Sequence, residues 1–199
     1  MVNKVNIGVV GIQGAISEHI SSMKRALNES NIDGNVFLIK CKDDFKNINA
    51  LILPGGESTT ISRTLFYSGM HNKILNLIEE NNLPIMGTCA GCVLLAKQVT
   101  QESGDLKLLK LMDIKVKRNA FGRQKESFEK EIKIDGLSDI YNAVFIRAPI
   151  IEKVWGSCKS IAKINGKTVM AKQNNILALS FHPELTDDLS IHKIFLEMI

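Results

Sequence analysis

An α/β fold, a three-layer sandwich with a mixed, mostly parallel central sheet and helices on both faces, is predicted by three observations in this 199-residue chain. Short apolar runs alternate with longer amphipathic ones through the first half, a rhythm that builds parallel strands with helical crossovers. The second half is richer in strand-like segments, with tight-turn signals between some of them, which adds antiparallel members. Glycine-bearing turns follow several apolar runs, and sheets of this kind collect ligands beyond the carboxyl ends of their strands.

Val5–Ile12 reads as the first strand, an apolar run too short to span a membrane and without the basic leader of a signal peptide. An amphipathic helix from Ala15 to Glu29 follows, then strands Asn35–Lys40 and Ala50–Leu53, and a helical run up to Asn81. Pro84–Thr88 is a buried strand that passes through a Gly-x-Cys-x-Gly turn into an apolar helix ending near Gln98. Leu106–Lys117, Glu129–Ile134, Ala143–Ile146, Ser160–Ile164, Thr168–Lys172 and Ile176–Phe181 are further strands. Asn165-Gly166 is a strong hairpin signal and Asn174-Asn175 a second. Leu189–Ile199 closes the chain as an amphipathic helix. Without repeats or a linker, residues 1–199 are expected to form one domain.

With 45% hydrophobic residues the chain has enough apolar material for a substantial core. Its net charge of +4 is spread without a basic run, which argues against a nucleic-acid partner, and no segment suits a membrane. Four cysteines are too few for a disulfide scaffold, so reduced thiols and a cytoplasmic location are expected. Cys89 and Cys92 form a C-x-x-C pair, which keeps a thiol-redox protein as an alternative; no second pair completes a zinc site, and no metal or cofactor is expected.

The Gly87-Thr88-Cys89-Ala90-Gly91 turn has the form of a nucleophile elbow. Its glycines let strand and helix approach, while the helix start favours thiolate and aims the Ala90 N–H where an oxyanion forms. A cysteine nucleophile needs a base and a group that orients the base. His182-Pro183-Glu184 offers both, since an extended backbone sends His182 and Glu184 to one side. His19, His71 and His192 lie in helical contexts among polar neighbours and are read as exposed or structurally partnered. Pro54-Gly55-Gly56-Glu57-Ser58-Thr59-Thr60 leaves a strand and enters a helix, with hydroxyls fit to cap it and a carboxylate able to receive an ammonium. It lacks the spacing of a phosphate loop. Together with Gly11-Ile12-Gln13-Gly14, these motifs face one crevice.

Gly-Thr-Cys-Ala-Gly with a distant His-Pro-Glu resembles the class I (triad) glutamine amidotransferases. Segments 53–60, 118–129, 145–149 and 180–186 narrow the resemblance to the glutaminase subunits of pyridoxal 5′-phosphate synthases. That resemblance implies hydrolysis of L-glutamine to glutamate and ammonia, with the ammonia handed to a separate synthase subunit. It assigns Cys89 as nucleophile, His182 as proton relay and Glu184 as its orienter. It places glutamine contacts at Gly56, Glu57, Ser58, Arg118, Ile146 and Arg147, an oxyanion hole at the N–H groups of Gly56 and Ala90, and the partner interface at Gln13 and His19. Cys92 replaces a usually aliphatic residue and is expected to fill core volume. A glutaminase serving a different synthase is the alternative within the same chemistry.

Overall fold

The structure, a computed structural model, describes residues 4–100, 105–120 and 127–199. Residues 121–126 of the 118–129 segment lie outside the described residues. The first half follows the predicted alternation: β1 (Val5–Val10), α1 (Ile16–Glu29), β2 (Gly34–Ile39), β3 (Ala50–Leu53), α2 (Ser58–Tyr67), α3 (Met70–Asn81), β4 (Ile85–Thr88) and α4 (Ala90–Leu95). The single helical run expected up to Asn81 is two helices, because the chain turns through Gly69 in the left-handed region at φ 73°. The helix after Cys89 is also shorter than expected. It stops at Leu95, and Ala96 turns extended into β5 (Ala96–Thr100), an edge strand of the sheet.

The second half supplies β6 (Met112–Lys117), β7 (Ser127–Ile132), β8 (Tyr141–Ile146), β9 (Ile150–Val154), β10 (Lys159–Ile164), β11 (Lys167–Gln173), β12 (Ile176–Leu179) and α5 (Ser190–Leu196). Both hairpins form at the predicted dipeptides, where Asn165 (φ 48°), Gly166 (φ 77°) and Asn174 (φ 50°) take the positive angles such turns demand. Strand β9 went unread in the sequence, since its Ile-Ile start is followed at once by charged residues. β7 and β8 form a separate two-stranded ribbon.

A ten-stranded sheet runs β2-β1-β3-β4-β12-β11-β9-β6-β5, with β10 paired to β11. Pairing is parallel from β2 through β12, antiparallel around β11 and β9, and parallel again between β5 and β6. Period-two alternation divides consecutive residues between two cores. Leu51 and Leu53 pack with Ile61, Leu65, Ile74 and Val93 of α2, α3 and α4. Ala50 and Ile52 face the other way, onto a core holding Met23 and Leu27 of α1, Phe195 of α5, and Tyr141 and Phe145 of the ribbon. Helices on both faces make β3 apolar throughout, as a doubly covered strand must be. Among the described residues no helix is long and apolar enough to cross a membrane.

Close strand–helix contact at the elbow depends on glycine: a Cβ on Gly91 would lie 2.1 Å from the Leu53 carbonyl oxygen. Gly91→Ala is therefore expected to cost about 1–3 kcal/mol in chemical denaturation, the range for overpacking against backbone that cannot retreat. A second test concerns His192, which has no exposed surface and, among the described residues, no hydrogen-bond partner for either ring nitrogen. Burial pushes it down to about 4 from an ordinary 6.5, so between those values the unfolded chain binds the proton that the fold excludes. Stability should fall as pH drops from 6.5 towards 4, by up to about 1.4 kcal/mol per unit. The difference between wild type and His192→Phe, read as unfolding free energy against pH, should isolate that slope.

Candidate active site

Sheet register brings distant segments together. Parallel pairing sets Thr88 beside Leu179, Gly87 beside Leu53 and Ile52 beside Val9. The residues that follow these strands, Cys89, His182, Pro54–Glu57 and Gly11–Gly14, consequently emerge at one edge, as the carboxyl-end rule requires. The Cys89 N–H donates to the Leu179 carbonyl at 2.8 Å, and the His182 N–H to that of Val144 at 2.8 Å. Cys89 has φ 49° and ψ −101°, a strained conformation for a residue with a side chain. It lines a cavity of about 530 Å³ together with His182, Gly56, Glu57, Ser58, Ala90, Arg118, Ile146, Arg147 and Gln13.

His182 Nδ1 lies 2.7 Å from Glu184 Oε1, and Glu184 has almost no exposed surface. Fixing Nδ1 on the carboxylate leaves Nε2 on the cavity side of the ring. Among the described residues Nε2 has no hydrogen-bond partner, and the Cys89 thiol donates instead to the Ile146 carbonyl at 3.7 Å. The thiol is nonetheless near enough for a looser contact that favours imidazolium. Burial opposes charge on His182, but contact with Cys89 and the Glu184 carboxylate outweighs it and raises the imidazole to about 10. Burial likewise resists charge on Glu184, and its hydrogen bond to His182 with the nearby imidazoles holds it below the usual carboxylate range. Gly55 fits between the two rows of side chains. A Cβ there would lie 2.7 Å from His182 Cε1 and 3.3 Å from Cys89 Cβ, so both side chains reach one point.

The glycine turn behaves differently from expectation in one respect. Glu57, not a hydroxyl, caps α2: its carboxylate accepts from the Thr59 N–H at 3.0 Å and the Thr60 N–H at 2.6 Å. Partial burial opposes its charge, and these amides prevail, holding it at about 2. Arg118 Nη2 approaches the same carboxylate at 3.3 Å. Gln13 Oε1 accepts the Glu57 N–H at 3.0 Å, which ties the first turn to the second. A Cβ on Gly14 would lie 2.0 Å from the Gly55 carbonyl oxygen. Arg147 sits at φ 44°, directly after the carbonyl that receives the thiol.

Three expectations need correction. His19, expected at the partner interface, has no exposed surface. It lies on the apolar face of α1 at helical spacing from Ile16 and Met23, with Nε2 3.1 Å from Thr88 Oγ1 and 3.3 Å from Glu184 Oε2. The spacing was readable; the polar company of Glu18 and Ser17 obscured it. His192 is buried, with no hydrogen-bond partner among the described residues, rather than exposed or satisfied, because α1 packs against α5. The Cys89–Cys92 redox reading finds no footing, since Cys92 is fully buried and its thiol is pushed well up, chiefly by desolvation. It fills core volume, as expected. Pro149 and Leu185 also line the cavity without having been singled out.

Residues 9–199 match the model of the SNO glutamine amidotransferase family. A pyridoxal 5′-phosphate synthase subunit PdxT of Thermococcus kodakarensis is 46% identical over 193 residues, covering 96% of this chain and 98% of its own. The PdxT subunit of Methanococcoides burtonii is 47% identical over 197 residues, covering 98% and 99%. A crystal structure of a glutamine amidotransferase superposes with a TM-score of 0.86 at 38% identity, over 96% of this chain and 97% of that one. With the fold and the family model agreeing over nearly the whole length, the chain belongs to the SNO glutamine amidotransferase family.

Proposed function

We propose that this chain is the glutaminase subunit of a pyridoxal 5′-phosphate synthase: it hydrolyses L-glutamine to L-glutamate and ammonia and delivers the ammonia to a synthase subunit. The observation that carries the reading is the meeting of Cys89 and His182 on one cavity, with His182 Nδ1 held at 2.7 Å by Glu184. Full-length similarity to chains named as PdxT subunits supports the choice of synthase over a different partner. Residues 1–199 are read as one glutaminase domain, supported by the continuous sheet from β2 to β5. A cytoplasmic location fits the free thiols at Cys41, Cys89, Cys92 and Cys158.

In this reading the Cys89 thiolate attacks the side-chain amide carbon, and the carbonyl oxygen becomes an oxyanion held by the N–H groups of Ala90 and Gly56. Imidazolium His182 gives its proton to the departing nitrogen, the C–N bond breaks, and ammonia leaves a γ-glutamyl thioester on Cys89. Water then attacks the thioester as His182 takes its proton, which releases glutamate and restores the thiolate. Each oxyanion donor is worth roughly 10²–10³ in rate. Glu57, Ser58, Arg118, Ile146 and Arg147 surround the same cavity and are assigned to glutamine binding, the Glu57 carboxylate to the substrate ammonium. Ammonia freed into neutral water would be protonated and lose its nucleophilicity, so a synthase docked over the cleft both shields and consumes it. Gln13, on the cavity rim and bonded to the Glu57 N–H, is the residue assigned to that contact.

Glutamate release should be slow from the chain alone, rise markedly on mixing with its cognate synthase, and vanish in Cys89→Ala. Equal release by that variant would overturn the assignment. Because contact with Cys89 and the Glu184 carboxylate raises His182 to about 10 in the free chain, kcat/KM should hold through neutral pH and decline only as the imidazolium is lost above it. Glu184→Gln should lower kcat at least about 10²-fold and move that basic limb to lower pH, since a neutral amide no longer stabilises the imidazolium.

A further inference from the structure

Behind the cavity lies a buried polar cluster that the reaction as written does not use. Glu184 spends Oε1 on His182, and its second oxygen, equally buried, has no hydrogen-bond partner among the described residues. His19 Nε2 stands 3.3 Å from that oxygen, within electrostatic reach, on a side chain with no exposure. The same nitrogen lies 3.1 Å from the hydroxyl of Thr88, the residue before the nucleophile. His19 Nδ1 meets no donor or acceptor among the described residues.

These contacts select one tautomer. If the proton sat on Nδ1, a buried N–H would lack an acceptor, and the bare Nε2 lone pair would confront a carboxylate. With the proton on Nε2, the N–H donates to the Thr88 hydroxyl and turns its positive end to Glu184 Oε2, and only the Nδ1 lone pair goes unmet. A second positive charge is disfavoured: burial lowers His19 below its ordinary value, and neighbouring His182 acts in the same direction, against the pull of Glu184 and Glu18. His192 of α5 is a further imidazole beside it, itself neutral.

We infer that His19 is a positioning residue of the glutaminase reaction, a neutral imidazole whose N–H is bonded to Thr88 and whose positive end holds the second oxygen of Glu184 electrostatically. The inference rests on the glutaminase reading. Physically, a carboxylate hydrogen-bonded at one oxygen and facing a polarised N–H at the other is biased to one rotation about its Cγ–Cδ bond, so His182 is presented in one orientation to a nucleophile whose preceding residue is held by the same ring. Partners of this kind, one step removed from the reacting atoms, affect activity by about 10–100-fold where they orient metal ligands, and the same geometric logic applies here.

Two substitutions with one chemistry and different reach test it. The amide nitrogen of glutamine stands as many bonds from the backbone as imidazole Nε2, whereas that of asparagine stands where Nδ1 does. Synthase-activated chain carrying His19→Asn should lose about 10–100-fold in kcat with KM held within about twofold, and its basic limb should move about one pH unit towards neutral. His19→Gln should recover activity to within about threefold of wild type and restore the limb. Alkylation of Cys89 by iodoacetamide, followed against pH on the Cys89 peptide by mass spectrometry, should shift in His19→Asn and not in His19→Gln; the peptide readout separates it from exposed Cys41. Activity that tracks only the melting temperatures of the two variants, with pH limb and alkylation profile unmoved, would overturn the inference. So would wild-type behaviour in both. Absence of glutamate release from wild type would instead overturn the glutaminase reading, and the alkylation profiles would still decide whether His19 acts on the Cys89–His182 pair.

Discussion

Parallel pairing of β4 with β12 is the constraint from which the cavity follows. These strands are separated by most of the second half of the chain, yet Thr88 stands opposite Leu179, and the next amide, that of Cys89, bonds to the Leu179 carbonyl. A slip of one residue would turn every buried side chain of β12 to the wrong face. Both faces of these strands are covered by apolar cores, so the register is held by burial on two sides. Thiol and imidazole therefore owe their proximity to hydrophobic packing well away from either of them.

Electrostatics then refines what register provides. The three ionisable members are almost wholly buried, where an unpaired charge is costly. The Glu184 carboxylate sustains the His182 imidazolium, and that imidazolium sustains the carboxylate. Cys92, one turn along α4, has no such company and behaves as an apolar side chain. Two thiols three positions apart are thus set to different chemistry by which one faces the cleft.

Much of this was legible in the sequence, and what escaped did so for identifiable reasons. The elbow, the His-Pro-Glu strand end and the glycine turn carry strong local signals, because tight backbone geometry admits few residue types. Alternation of strand and helix was readable for the same reason, up to the break at Gly69 and the early end of α4, where a strand edge captured residues of good helical character. Strand β9 and the β7–β8 ribbon were less legible, since strand pairing at the sheet's far side depends on partners remote in sequence. His19 was misread because a histidine among polar neighbours is ambiguous without knowledge of which helical face is covered. Glu57 was seen, but its capping role depended on where α2 begins.

The contact between Gly14 and Gly55 has a mechanical meaning. Two main-chain segments from different parts of the sequence touch with no side chain between them, and the Gln13 amide stitches the same pair a second time. Anything that displaces the outer turn also bears, backbone on backbone, on the Gly55 peptide beside Cys89, so the two turns make one wall of the cleft.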